Sequence, residues 1–234
     1  VLIASIAVLA AANVLNNRVA PRLAPLTSAA ATAVLVAMAR RSGASWAELG
    51  FEHPRRGALT GGALAAGVAA VYTAGVAIPG TRRLFRDERA LSLSHARALE
   101  EALLQVPVGT VLLEEVGFRG ALYGMLRRTH GTAAATAVSS VLFGLWHVLP
   151  AIDMARANPA LGALTAGEKP GPLATGRVVA GSVLSTGAAG VLFCELRRRA
   201  GLLAPSMLHT ATNSLGYLFA RLAARCDAKS SPEG

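Results

Sequence analysis

Val111-Leu112-Leu113-Glu114-Glu115-Val116-Gly117-Phe118-Arg119 sets two carboxylates and a guanidinium inside a run that is otherwise apolar. The surrounding stretch, near 102–126, is long enough to cross a hydrocarbon layer of roughly 30 Å. An ionisable side chain at that depth costs roughly 2.5–3.5 kcal/mol on insertion scales, so it marks either a paired charge or a functional place. Which of the two applies here governs how the rest of the chain is read.

The composition agrees with a membrane-embedded chain. Of 234 residues, 53% are hydrophobic and 15% charged, where a soluble domain carries about 25% charged. The mean hydropathy is +0.47. Seven apolar stretches are predicted to span the membrane, near 1–16, 23–39, 57–79, 102–126, 132–151, 177–196 and 201–222. Pro21, Pro25, Pro79-Gly80, Gly131 and Gly201 punctuate them. Val1–Asn16 has neither a basic leader nor a cleavage site and reads as a first membrane helix rather than a signal peptide. Ala44–His53, with Trp46 and Phe51, is expected along the interface. Thr81–Glu100 is expected as a polar loop or amphipathic helix, and Asp153–Thr175 as a long loop.

The formal charge of +10 lies in short arginine clusters at the ends of the apolar stretches, such as Arg40-Arg41, Arg127-Arg128 and Arg197-Arg198-Arg199. That distribution anchors helices at a lipid surface and gives no sign of a nucleic-acid partner. Arginine supplies 21 of the 23 basic residues and alanine is abundant, a bias that points to a GC-rich bacterial genome and to the bacterial plasma membrane. Cys194 and Cys226 have no framework or ligand-like spacing and read as bystanders.

Glu115 and Arg119 are spaced i, i+4 and can pair on one helix face. Glu114 points about 100° away and has no local partner. Two later apolar stretches bring imidazoles: His147 ends Phe143-Gly144-Leu145-Trp146-His147, and His209 is followed one turn later by Asn213. Each group alone fits a structural role, an ion pair or a hydrogen bond between helices. Together they fall in one half of the membrane, which favours a common site. Gly117, Gly144 and Gly216 would let backbones approach around it.

A carboxylate and two imidazoles can hydrolyse in two ways. Glu114, His147 and His209 can hold Zn²⁺ with an open position for water. Alternatively Glu114 activates water directly, helped by His147, while His209 and Asn213 donate to the oxyanion. There is no His-Glu-x-x-His helix and no Gly-x-Ser-x-Gly elbow, and Asp87, Asp153 and Asp227 fall in loops or the tail. The competing readings are a catalytically idle scaffold or bacteriocin-immunity protein, and a small proton-coupled transporter.

Glu114-Glu115-x-x-x-Arg119, Phe143-x-x-x-His147 and His209-x-x-x-Asn213, in that order, resemble the CPBP intramembrane proteases. This is the CAAX protease and bacteriocin-processing, or Abi, family, which includes the eukaryotic prenyl-protein endopeptidase. Trp46-Ala47-Glu48-Leu49-Gly50-Phe51 also looks like a segment of its bacterial members. The resemblance implies an all-α polytopic fold of about seven to eight transmembrane helices around a polar intramembrane cavity. Residues 1–101 would be the N-terminal helices and interfacial segment, 102–222 the catalytic core and 223–234 a disordered tail. It also implies an endopeptidase in which Glu114 and His147 activate water and His209 and Asn213 stabilise the oxyanion, supported by Glu115, Arg119 and Phe143. The family has been described as zinc-dependent and as metal-independent. The His/Asn pair favours the latter, because asparagine is an uncommon zinc ligand. The expected substrate is a membrane-associated protein or peptide.

Overall fold

A computed structural model describes residues 1–158 and 171–230, with side chains as far as 228. Among these residues the chain is helical apart from short turns such as 42–53, and it holds no strand. The first three helices are α1 (Leu2–Val14), α2 (Ala24–Arg41) and α3 (Pro54–Ala77). The expected polar segment after α3 holds two short helices, α4 (Glu88–Leu91) and α5 (His95–Glu100). From α5 the chain runs without a break through a π-wound stretch (Glu101–Val111), a short α6 (Leu112–Glu114) and a second π-wound stretch (Glu115–Leu122) into α7 (Tyr123–Trp146). α8 (Val148–Ala157), α9 (Pro172–Ala200) and α10 (Leu203–Ser230) complete the described residues.

Among the described residues, five segments are long and apolar enough to cross a membrane: Leu2–Val19, Pro21–Arg41, Pro54–Ala77, His95–Ala157 and Pro172–Ala200. The fourth has 63 residues and contains a reversal. At Gly131, φ 81° and ψ 175° break the helix in a conformation that a side chain would disfavour. The two arms then pack together, and Ser139 Oγ donates to Phe118 O at 3.0 Å. This one segment thus carries the two helices expected at 102–126 and 132–151. The helix expected at 201–222 is present as α10 but is not among the five. His209, Thr210, Thr212, Asn213 and Ser214 dilute its apolar run. The described residues thus hold five such segments, the fourth folded back at Gly131, and they do not establish the expected count of seven to eight spans.

Two further boundaries differ from expectation. The loop placed at 153–175 is largely taken up, in its described part, by the end of α8 and the start of α9. Its centre, 159–170, lies outside the described residues. α10 continues to Ser230, so 223–230 is helix rather than tail, and 231–234 lies outside the described residues.

The core is built from Leu9, Leu35, Leu49, Leu113, Phe118, Leu122, Tyr123 and Phe143. It packs α1, α2 and the 44–53 segment against the helix that carries Glu114. In that segment Trp46 and Phe51 are exposed, as an interfacial position requires, while Ala44 and Leu49 are fully buried. Ser45 and Glu48 cap its turn reciprocally, at 2.7 and 3.1 Å. The backbone bond from Ser45 holds the Glu48 carboxyl below its ordinary range. Arg197, with no exposed surface, joins three elements. Its Nε donates to Arg119 O at 3.1 Å, its Nη2 donates to Glu48 O, and its guanidinium lies 4.7 Å from the Tyr123 ring centre.

Of the three glycines expected to admit close approach, Gly144 does so most clearly. A Cβ there would stand 2.6 Å from Val183 O, so the absence of a side chain sets the spacing of α7 and α9. Gly117 packs against Leu9, whereas a Cβ at Gly216 would meet no described neighbour within 4 Å, and Gly216 borders the cavity described next.

Candidate active site

The π-winding around α6 lies at the level of the candidate site, a common association. Pro107, which has no N–H for a helical ladder, falls within the first π-wound stretch. Glu114 closes α6 at 3% exposure, and Glu115 and Arg119 follow with none. His147 caps α7 at the corner with α8, and His209 and Asn213 come from α10.

Glu115 belongs to the packed side. Its Oε1 accepts from Arg119 Nη1 at 3.3 Å and from His209 Nδ1 at 2.8 Å. The sequence pairs it with Arg119; the structure adds the imidazole as a third member. Arg119 lies 3.7 Å from the ring centre of Phe143 and 5.1 Å from that of Phe193. Its charge is thus met by a carboxylate and by aromatic faces, an attraction of about 2 kcal/mol when water is excluded.

Glu114 faces the other way. Its Oε1 accepts from Trp146 Nε1 at 2.8 Å, while Oε2 has no hydrogen-bond partner among the described residues. Toward Oε2 point Nε2 of His209 at 3.7 Å and Nε2 of His147 at 3.9 Å. Both gaps are too long for a direct hydrogen bond, yet one small molecule between the groups can reach them all. His147 Nδ1 lies 2.8 Å from Phe143 O, and a carbonyl only accepts, so Nδ1 carries the hydrogen. The Glu115 carboxylate fixes His209 Nδ1 in the same way. In the neutral rings both Nε2 atoms are therefore bare acceptors. With Glu114 Oε2 they form a cluster that suits a molecule with two hydrogens to give, as water has.

Zinc would draw its ligand atoms to 2.0–2.2 Å, which sets them roughly 3.3–3.5 Å apart in a tetrahedron. The separations here are wider, and among the described residues no three His, Cys, Asp or Glu side chains form a metal-holding group. Glu114, His147 and His209 as placed do not fit that ion.

Glu114, Trp146, His147, His209 and Asn213 line one cavity of about 730 Å³. Among the described residues the Asn213 amide has no hydrogen-bond partner. Phe143 also borders the cavity and touches both imidazoles, with ring centres 4.6 Å from His147 and 6.0 Å from His209. From this floor the cavity extends to a charged rim that includes Arg22, Asp87, Arg89, Arg97 and Glu101. At the rim, burial pushes the Asp87 carboxyl up, but its bonds to Arg89, the shorter at 2.8 Å, outweigh that and hold it below the ordinary value. A second hollow, of about 540 Å³ beside His53 and Leu59, holds none of the candidate residues.

All seven side chains singled out from the sequence thus meet around one space, Glu115 and Arg119 behind it and the others at its wall. Trp146 and Asn13 were not singled out. An indole N–H beside His147 in an apolar run, and an amide within the first apolar helix, are the available signals, since each needs a partner away from water.

Residues 101–215 match the family model described as Type II CAAX prenyl endopeptidase Rce1-like. No curated protein and no solved structure matches the chain.

Proposed function

Because the chain belongs to the CAAX protease family, through residues 101–215, we propose that it hydrolyses a peptide bond of a membrane-associated protein or peptide inside this cavity. The observation that carries the reading is the bare, buried Glu114 Oε2 faced by two imidazole Nε2 atoms at a cavity wall. A water held there gives one hydrogen to Glu114 Oε2 and directs the other at His147 Nε2, which leaves its lone pairs free. Its oxygen bonds to the substrate carbonyl carbon as Glu114 takes the proton. The tetrahedral adduct collapses with cleavage of the C–N bond, and Glu114 returns the proton to the leaving nitrogen.

The developing oxyanion is met by the Asn213 amide and by His209. Because His209 Nδ1 already gives its hydrogen to Glu115, Nε2 donates to the oxyanion only after the ring takes up a second proton from solvent in the cavity, and the attacking water is then held by Glu114 and His147 alone. Glu115 and Arg119 hold that ring in place. The reaction needs no metal in this form. The arginine-rich composition favours a bacterial plasma membrane and a substrate other than a prenylated CAAX protein.

The test is cleavage of membrane-anchored reporter peptides by purified protein. Glu114→Gln and His147→Ala should each lower the rate by roughly 10²–10⁴-fold while the protein stays folded. Equal cleavage by both variants and the wild type would sink the protease reading and favour an idle scaffold.

A further inference from the structure

Resting on that reading of Glu114, we propose that Trp146 is a positioning residue, whose indole N–H fixes the Glu114 carboxylate and assigns the reaction to one of its two oxygens. An indole nitrogen can only donate, and a bond to a carboxylate is about twice as strong as a neutral one. The terminal torsion of a glutamate is otherwise broad and roughly two-fold, so its oxygens exchange places. The 2.8 Å bond from Trp146 Nε1 to Oε1 stops that exchange and leaves Oε2 toward His147 and His209.

Trp146 is itself held. Its ring stands edge-on to Phe118, with centres 5.5 Å apart. Its carbonyl lies at the end of α7, where the helix supplies no N–H, and accepts from Asn13 Nδ2 at 2.9 Å. Asn13 is buried on α1, outside the stretch that carries the family likeness. A strut therefore runs from the first helix through Trp146 to the base. The same backbone corner places His147, so one local geometry sets both groups that touch the water.

The test uses the full chain in detergent micelles with ¹⁵N-labelled indoles. The two tryptophans give two indole resonances, and Trp46→Phe identifies the one from Trp146. Glu114→Gln and then Glu114→Leu should move the Trp146 resonance stepwise, from a charge-bonded toward an unbonded position, while that of Trp46 stays in place. Trp146→Phe keeps a ring and loses the N–H. It should lower kcat by ~10- to 100-fold with KM and Tm nearly unchanged. Asn13→Leu should lower kcat by a smaller factor. A Trp146 resonance indifferent to Glu114 overturns the contact, and a Trp146→Phe protein with wild-type kcat overturns the positioning role. The resonances are read without turnover. A chain that cleaves nothing therefore refutes the protease reading, while the contact is decided separately.

Discussion

Glu114 and Glu115 are neighbours in sequence and inhabit opposite surroundings. On the Glu115 side, a guanidinium and an imidazole close on one carboxylate oxygen, and the Phe143 and Phe193 rings pack on that guanidinium. On the Glu114 side, a single indole takes one oxygen and the other is left facing a cavity. Both carboxylates are equally well buried, so burial alone does not tell a structural charge from a reactive one. Each leaves its Oε2 without a hydrogen bond among the described residues, and the difference is that Glu114 borders a cavity a substrate can enter while Glu115 is sealed behind a paired guanidinium.

Arg119→Ala should break the comparison on its packed side, because it strips Glu115 of its counter-charge. Loss of one partner of a buried pair costs about 3–5 kcal/mol, readable as unfolding in mild denaturant, where Glu114→Ala should show no such loss. If replacing both partners, as Glu115→Leu with Arg119→Met, recovers the stability but not cleavage, the pair is needed for His209 rather than for folding. On the open side Asn213→Ala should leave the fold intact and slow turnover by roughly 10²–10³-fold, the usual cost of one oxyanion donor, measured as kcat. Phe143→Leu removes the face on which Arg119 rests and should cost about 2 kcal/mol in denaturant unfolding.

The smallest effect belongs to the rim. The Asp87 carboxyl is held below its ordinary value of 3.8 by Arg89, so its contribution is present above that pH and lost as pH falls through the lower folded value. Asp87→Asn should lower Tm slightly at pH 7, by no more than about 1 kcal/mol equivalent, and the gap to wild type should begin to narrow near pH 3.8 and close as pH falls through the lower folded value. A gap that widened in acid would show that Asp87 is paired otherwise.

The polar groups were legible in the sequence because apolar surroundings make them conspicuous, and their common depth followed from helix rise alone. What stayed hidden has specific physical causes. π-winding changes the turn without changing residue types, so nothing marked 101–122 as π-wound. The bonds from Trp146 to Glu114 and from Asn13 to Trp146 join positions 32 and 133 apart, and no periodicity reports such contacts. The third partner of Glu115 was hidden for the same reason, 94 residues away. The second half of α8 falls in the stretch 153–175, which reads as loop because prolines and glycines are dispersed through it, yet none of them lies between Asp153 and Ala157, and Pro150 sits near the start of α8, where a proline is tolerated.

Arg197 has a consequence for what counts as a unit of this molecule. It fastens the residue pair Glu48 and Arg119 through their carbonyls, one inside the stretch that carries the family likeness and one well outside it. Excised at 101 and 215, that stretch would keep the side chains of the reaction. It would lose the Glu48 carbonyl under Arg197, the Asn13 amide on Trp146, and the Leu9, Leu35 and Leu49 side chains that pack on Leu113 and its neighbours. The length that can be recognised by resemblance and the length that can hold its own shape are different, and a graft of the first into another membrane protein would carry the letters of the site without its geometry.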